Sequence, residues 1–134
     1  MKHPLLALLL AVSLVGCKSG GTPASHAVSL GQEIQLAPGE QATFEPHGLT
    51  VKFMSVVSDS RCPSDATCVW AGEVTVQLST RMRAADVIQH QITAGQDATV
   101  GELRLEVVQV QPVPISTRQI SPEEYRVTLK VESK

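Results

Sequence analysis

Along most of the chain, apolar residues fall at every second position. In residues 49–57, LTVKFMSVV, Leu49, Val51, Phe53 and Val57 share one parity while Thr50 and Lys52 occupy the other. Successive side chains of a strand point to opposite faces, so this alternation predicts a strand with one buried face. Residues 73–79 repeat it with Val74, Val76 and Leu78 inward, and residues 125–131 repeat it with Tyr125, Val127, Leu129 and Val131. Residues 102–111 begin in phase, with Leu103, Leu105 and Val107 on one side, then slip so that Val108 and Val110 are apolar. A β-bulge near Val107 and Val108, or a strand crossing between two sheets, accounts for the slip. Pro112 and Pro114 end the pairing, because neither has an amide hydrogen to donate.

Shorter segments fill the gaps. Pro38-Gly39, between EIQLA and QATFE, suits a type II turn, and Ala94-Gly95-Gln96-Asp97 separates two further apolar stretches. Residues 81–86 read as a loop and 87–92 as a strand with Ile88, His90 and Ile92 on one face. No apolar stripe of helical period appears beyond the first 16 residues, although Ser121-Pro122-Glu123-Glu124 suits a single helical turn. About seven short strands separated by turn signals predict an all-β fold, a small antiparallel β-sandwich or barrel.

The amino terminus breaks this pattern. Lys2 precedes an apolar run from Leu5 to Val15 that ends at a small residue and a cysteine, the layout of an export signal. The run is well short of the roughly 20 residues a membrane-spanning helix needs. Leu14-Val15-Gly16-Cys17 resembles the lipobox of bacterial lipoproteins. That resemblance implies a signal peptide over residues 1–16, cleavage before Cys17, and a thioether-linked diacylglycerol on Cys17. Acyl chains contribute about 0.8 kcal/mol per buried CH₂, so two or three would hold the chain on a membrane. In Gram-negative lipoproteins an Asp after the cysteine favours the inner membrane. Lys18 stands here instead, which implies the outer membrane of a bacterial envelope, on its periplasmic or surface side.

Residues 17–30 then form the lipidated cysteine and a tether. The stretch 18–29, KSGGTPASHAVS, is small and polar, and as a flexible coil it would set the domain on the order of 20 Å from its lipid. His26 reads as a solvated tether residue. Residues 31–134 are long enough for one β domain with its own core.

The chain has three cysteines. With Cys17 carrying lipid, Cys62 and Cys68 remain as a pair in an oxidising compartment, where a disulfide-closed loop is expected. Their C-x₅-C spacing differs from the C-x-x-C of dithiol oxidoreductases, and no second pair completes a zinc site. Trp70 is expected to cover the bridge and cap the end of the domain, with Ala71-Gly72 allowing close backbone approach. The surrounding DSRCP, four residues, and C-x-WAG resemble a pattern that recurs in small exported bacterial proteins of uncharacterised function. This resemblance implies a shared β domain with the loop as its signature, and implies no activity, substrate or cofactor.

Charge and aromatic content remove several classes. A formal net charge of −2 gives no electrostatic footprint for nucleic acid, and one Trp, one Tyr and two Phe leave little for a stacking platform. The cluster Arg81-Met82-Arg83 reads as a solvated loop, with a phosphate or lipid-headgroup contact as the weaker reading. His47 sits beside Pro46 and Gly48 in a predicted turn, and His90 reads as a structural histidine. No nucleophile elbow, phosphate loop or H-E-x-x-H occurs, so no catalytic residue and no cofactor is expected.

The function these features predict is a non-catalytic, outer-membrane-anchored lipoprotein. Its β domain would bind an envelope protein or a small ligand through the closed loop, with Arg61, Asp65 and Trp70 as candidate contacts. One alternative is a metal-binding or redox-linked envelope protein, with Asp59 and Asp65 as weak candidate ligands for Ca²⁺ or a transition metal. On the first reading Asp59 instead accepts loop amides or pairs with Arg61. Another alternative is an inhibitor-like protein acting on an extracytoplasmic enzyme.

Overall fold

A computed structural model of the chain describes residues 25–134. They form nine strands: β1 (Ser25–Ser29), β2 (Glu33–Leu36), β3 (Gln41–Glu45), β4 (Leu49–Asp59), β5 (Val74–Met82), β6 (Ile88–Thr93), β7 (Asp97–Val100), β8 (Leu103–Gln111) and β9 (Arg126–Ser133). Two sheets result, one ordered β1-β3-β4-β5-β6 and the other β2-β9-β8-β7, which makes the fold a β-sandwich. The only helical element among the described residues is the 3-10 turn Pro122–Glu124. It stands where Ser121-Pro122 predicts it, with Glu124 Oε2 accepting from the Ser121 amide at 2.7 Å.

The period-two pattern builds the core directly. Phe44, Phe53, Leu78, Leu105, Leu129 and Val131 are fully buried, drawn from both inner faces. A fully buried side chain of this size contributes about 1.5–3 kcal/mol. In β8 the ladder to β9 shifts between Val107 and Gln109, the bulge that the change of phase predicts. The Pro38-Gly39 turn closes with the Glu40 amide donating to the Ala37 carbonyl at 3.0 Å and Gly39 at φ +87°, which suits a type II turn.

Four expectations are corrected, the first being that Arg81 and Met82, read as loop, are the last two residues of β5 and pair with Thr50 and Leu49. Val57, placed inward by parity, is 48% exposed, because the β4 ladder shifts between Phe53 and Ser55 and again between Val56 and Ser58. Each shift inserts a residue and changes which parity faces the core, so Val56 packs inward instead. The segment read as tether is also partly strand: Ser25–Ser29 pairs in parallel with β3. Val28 reaches the core from it, a single buried residue that leaves no periodicity to read in so short a strand. His26 therefore lies on an edge strand. With the four-residue β7, β1 raises the count from about seven strands to nine.

Pairing direction assigns every connection to one of two ends. The loops 37–40, 60–73, 94–96 and 112–125 lie together at one end, and the chain enters β1 from that same end. The connections 30–32, 46–48, 83–87 and 101–102 lie at the other end, with the carboxyl terminus.

Candidate functional site at the disulfide-closed loop

Loop 60–73 begins as an extension of the β4–β5 hairpin. Beyond the last rung the Ser60 amide donates to the Glu73 carbonyl at 2.8 Å, and the Cys62 amide to the Ala71 carbonyl at 2.9 Å. The Ser60 hydroxyl fastens the same rung from the side, accepting from the Glu73 amide at 3.1 Å. Gly72 makes this approach possible. Its φ of +67° is open to glycine, and a Cβ there would collide with the Ser60 carbonyl. The Cys62–Cys68 disulfide closes the loop above these rungs, with 5.9 Å between the two Cα atoms.

Arg61 ties the loop to the second sheet. Its Nε and Nη2 donate to Asp59 Oδ1 and Oδ2 at 2.8 and 2.6 Å, a bidentate pair. The guanidinium also donates to the Val110 carbonyl at 2.7 Å and the Pro112 carbonyl at 3.0 Å. From the residue before β9, the Tyr125 hydroxyl donates to Asp59 Oδ2 at 3.1 Å. Three side chains thus join β4 to the ends of β8 and β9 across the mouth of the sandwich. Burial pushes the Asp59 carboxyl up, but the Arg61 side-chain and backbone hydrogen bonds, the Arg61 charge and Tyr125 outweigh it and hold the carboxyl below its ordinary value. Burial, and then the Asp59 hydrogen bond, raise the Tyr125 phenol.

Further out, the loop is stitched to segment 112–118. The Ser64 amide donates to the Pro114 carbonyl at 2.9 Å, while the Ser116 amide and hydroxyl donate to Asp65 at 2.8 and 2.6 Å. These two bonds from Ser116 hold the Asp65 carboxyl below its ordinary value.

The loop residues singled out from sequence therefore have different roles. Arg61 points inward and four of its five guanidinium N–H donors are taken up, so it is a brace. Asp59 pairs with Arg61 and Asp65 with Ser116, and neither presents a free carboxylate to a cation. Among the described residues no group of three His, Cys, Asp or Glu side chains is arranged to hold a metal ion. Trp70 does not cap the sandwich: it is 81% exposed, and Val69 beside it is 90% exposed. The brace at Asp59, Arg61 and Tyr125 already fills the mouth that an indole would otherwise cover. Trp70 still borders a shallow surface depression together with Cys62, Pro63, Cys68 and Glu73. What the loop presents outward is an apolar edge on a rigid support.

Sequence reasoning misses Tyr125 and Ser116 as partners. Tyr125 is legible as an inward residue, and a buried phenol needs an acceptor, but the acid 66 positions away carries no local signal. The three histidines among the described residues are not gathered: His26 is on β1, His47 in the turn after β3, and His90 on β6 with Nε2 at 2.9 Å from the Thr80 hydroxyl. Compared with protein families, curated proteins and solved structures, the chain has no match.

Proposed function

We propose that the protein is a non-catalytic, lipid-anchored domain of the bacterial envelope that binds an envelope component through the exposed edge of its disulfide-closed loop. The observation that carries this reading is Trp70, 81% exposed beside Val69 on a loop closed by a disulfide and tied to the facing segment by Arg61 and Asp65. An indole left in water on a rigid loop costs little ordering entropy when it is covered, and such residues concentrate binding energy. Arg61 and Asp65 support the edge and leave the contacts to Val69 and Trp70. The cleavable signal over residues 1–16 and the lipid on Cys17 belong to the same proposal, on the strength of the lipobox resemblance. The domain needs no cofactor in this role.

Hydroxyl-radical footprinting tests the reading whatever the chemistry of the bound component. Oxidation of Val69 and Trp70 is expected to fall in intact envelopes relative to the purified protein, while Val87 and Ile88 at the opposite end react equally in both. Equal reactivity of Trp70 in the two preparations would remove the loop edge as a contact.

A further inference from the structure

We infer that the Val69–Trp70 edge lies against the lipid surface in which the chain is anchored. This deepens the reading above and rests on it, because it takes Cys17 as the point of attachment. The argument is one of reach. From Cys17 to Ser25 the covalent chain spans at most about 28 Å. Ser25 pairs with Gln41, which pairs with Lys52 in the middle of β4. From that level the β4–β5 ladder continues past the Lys52–Ser79 rung to the Asp59–Val74 rung, about 17 Å further toward the loop end. The Ser60–Glu73 and Cys62–Ala71 rungs carry the hairpin roughly 10 Å beyond that, and Trp70 follows Ala71's rung outward.

The chain leaves β1 in the same direction, so Trp70 stands at about the limit of what the tether can reach. Fully stretched, residues 18–24 bring Cys17 level with the loop edge; any slack brings the edge closer to the lipid. The length therefore allows this end to rest on the membrane surface, and the side chains exposed there decide that it does. The surface there suits it. Among the described residues, four of the eight exposed large apolar side chains, Val69, Trp70, Val113 and Ile115, belong to the two loops stitched together at this end. Tryptophan favours the bilayer interface, where its ring is buried and its N–H stays wet. Arg83 faces away, donating to the Pro46 carbonyl at the opposite end.

Trp70 is the chain's only tryptophan, which makes it its own probe. The full-length precursor is expressed in a bacterial host, purified from membranes in detergent, and reconstituted into phosphatidylethanolamine–phosphatidylglycerol vesicles with or without brominated acyl chains. Mass spectrometry reads the state of Cys17. The expected result is an acylated Cys17, a blue-shifted Trp70 emission, loss of acrylamide quenching and quenching by the brominated lipids. An acylated, vesicle-bound chain whose Trp70 still quenches with acrylamide and not with bromine overturns the lipid-facing edge and leaves the anchor standing. An unmodified Cys17 overturns the anchor itself and, with it, this placement. Shielding without bromine quenching that develops only when envelope proteins are added assigns the edge to a protein partner and overturns the inference.

Discussion

Arg61 and Asp59 form a bidentate pair two residues apart, with side chains only 16% and 12% exposed, and the same guanidinium holds the carbonyls of Val110 and Pro112 at the end of the facing β8. The bracing of the loop end runs through this contact. Arg61→Ala would leave a largely buried carboxylate with only the Tyr125 hydroxyl and the backbone amide of residue 61, and two carbonyls without their donor. Such losses cost about 2–4 kcal/mol, a large part of what a domain of this size has. Equilibrium denaturation in urea checks it: a destabilisation well below that range would mean that Arg61 is a surface residue in solution.

Acid should loosen the same end. The Asp59 carboxyl is lowered in the fold relative to its ordinary value of 3.8, so its stabilisation is complete above that value and is lost as pH falls through the lower folded value. His90 acts earlier. Burial lowers its imidazole below 6.5, so the unfolded chain takes up the proton first and stability declines as pH drops from that point. Urea midpoints measured across this range should fall in two stages, and His90→Gln should remove the upper one only.

Gly72→Ala combines a left-handed backbone with a collision against the Ser60 carbonyl. Its expected cost is about 1–3 kcal/mol, visible as a lower denaturation midpoint together with faster amide exchange at Ser60 and Cys62. An unchanged midpoint would mean the hairpin does not extend past Asp59 as described.

Opening the Cys62–Cys68 bridge with Cys62→Ser and Cys68→Ser should cost about 2 kcal/mol, from the conformational freedom returned to a short loop. Since Arg61 still donates to the Val110 carbonyl of the second sheet and Ser116 to Asp65, the domain should remain folded. Circular dichroism and denaturation of the double variant read both parts of this expectation.

Much of the fold is legible in the chain, and the exceptions have physical causes. Alternation over eight or so residues locates β5, β8 and β9 because one face of each meets the core. It fails at β1, where Val28 is alone in its burial, and at Val57, where two bulges reset the parity that Leu49, Val51 and Phe53 establish. The disulfide follows from assigning Cys17 to lipid, which leaves Cys62 and Cys68 as the pair. Trp70 escapes local reasoning, which puts the largest side chain beside the bridge. Nothing near it in sequence signals that Tyr125, just before β9, already closes the mouth by bonding Asp59. Which groups remain free to bind depends on long-range partners, and those are the part a sequence pattern does not carry.

Trp70→Ser should leave stability within about 0.5 kcal/mol, as expected for an exposed side chain. The most direct measurement replaces Trp70 with a photoactivatable phenylalanine analogue in the full-length chain, alongside a control at Glu102 on the opposite end. Irradiation of intact cells is predicted to give an adduct of lipid mass at position 70 and none at position 102. Equal labelling at the two positions, or no adduct at position 70, would contradict the account.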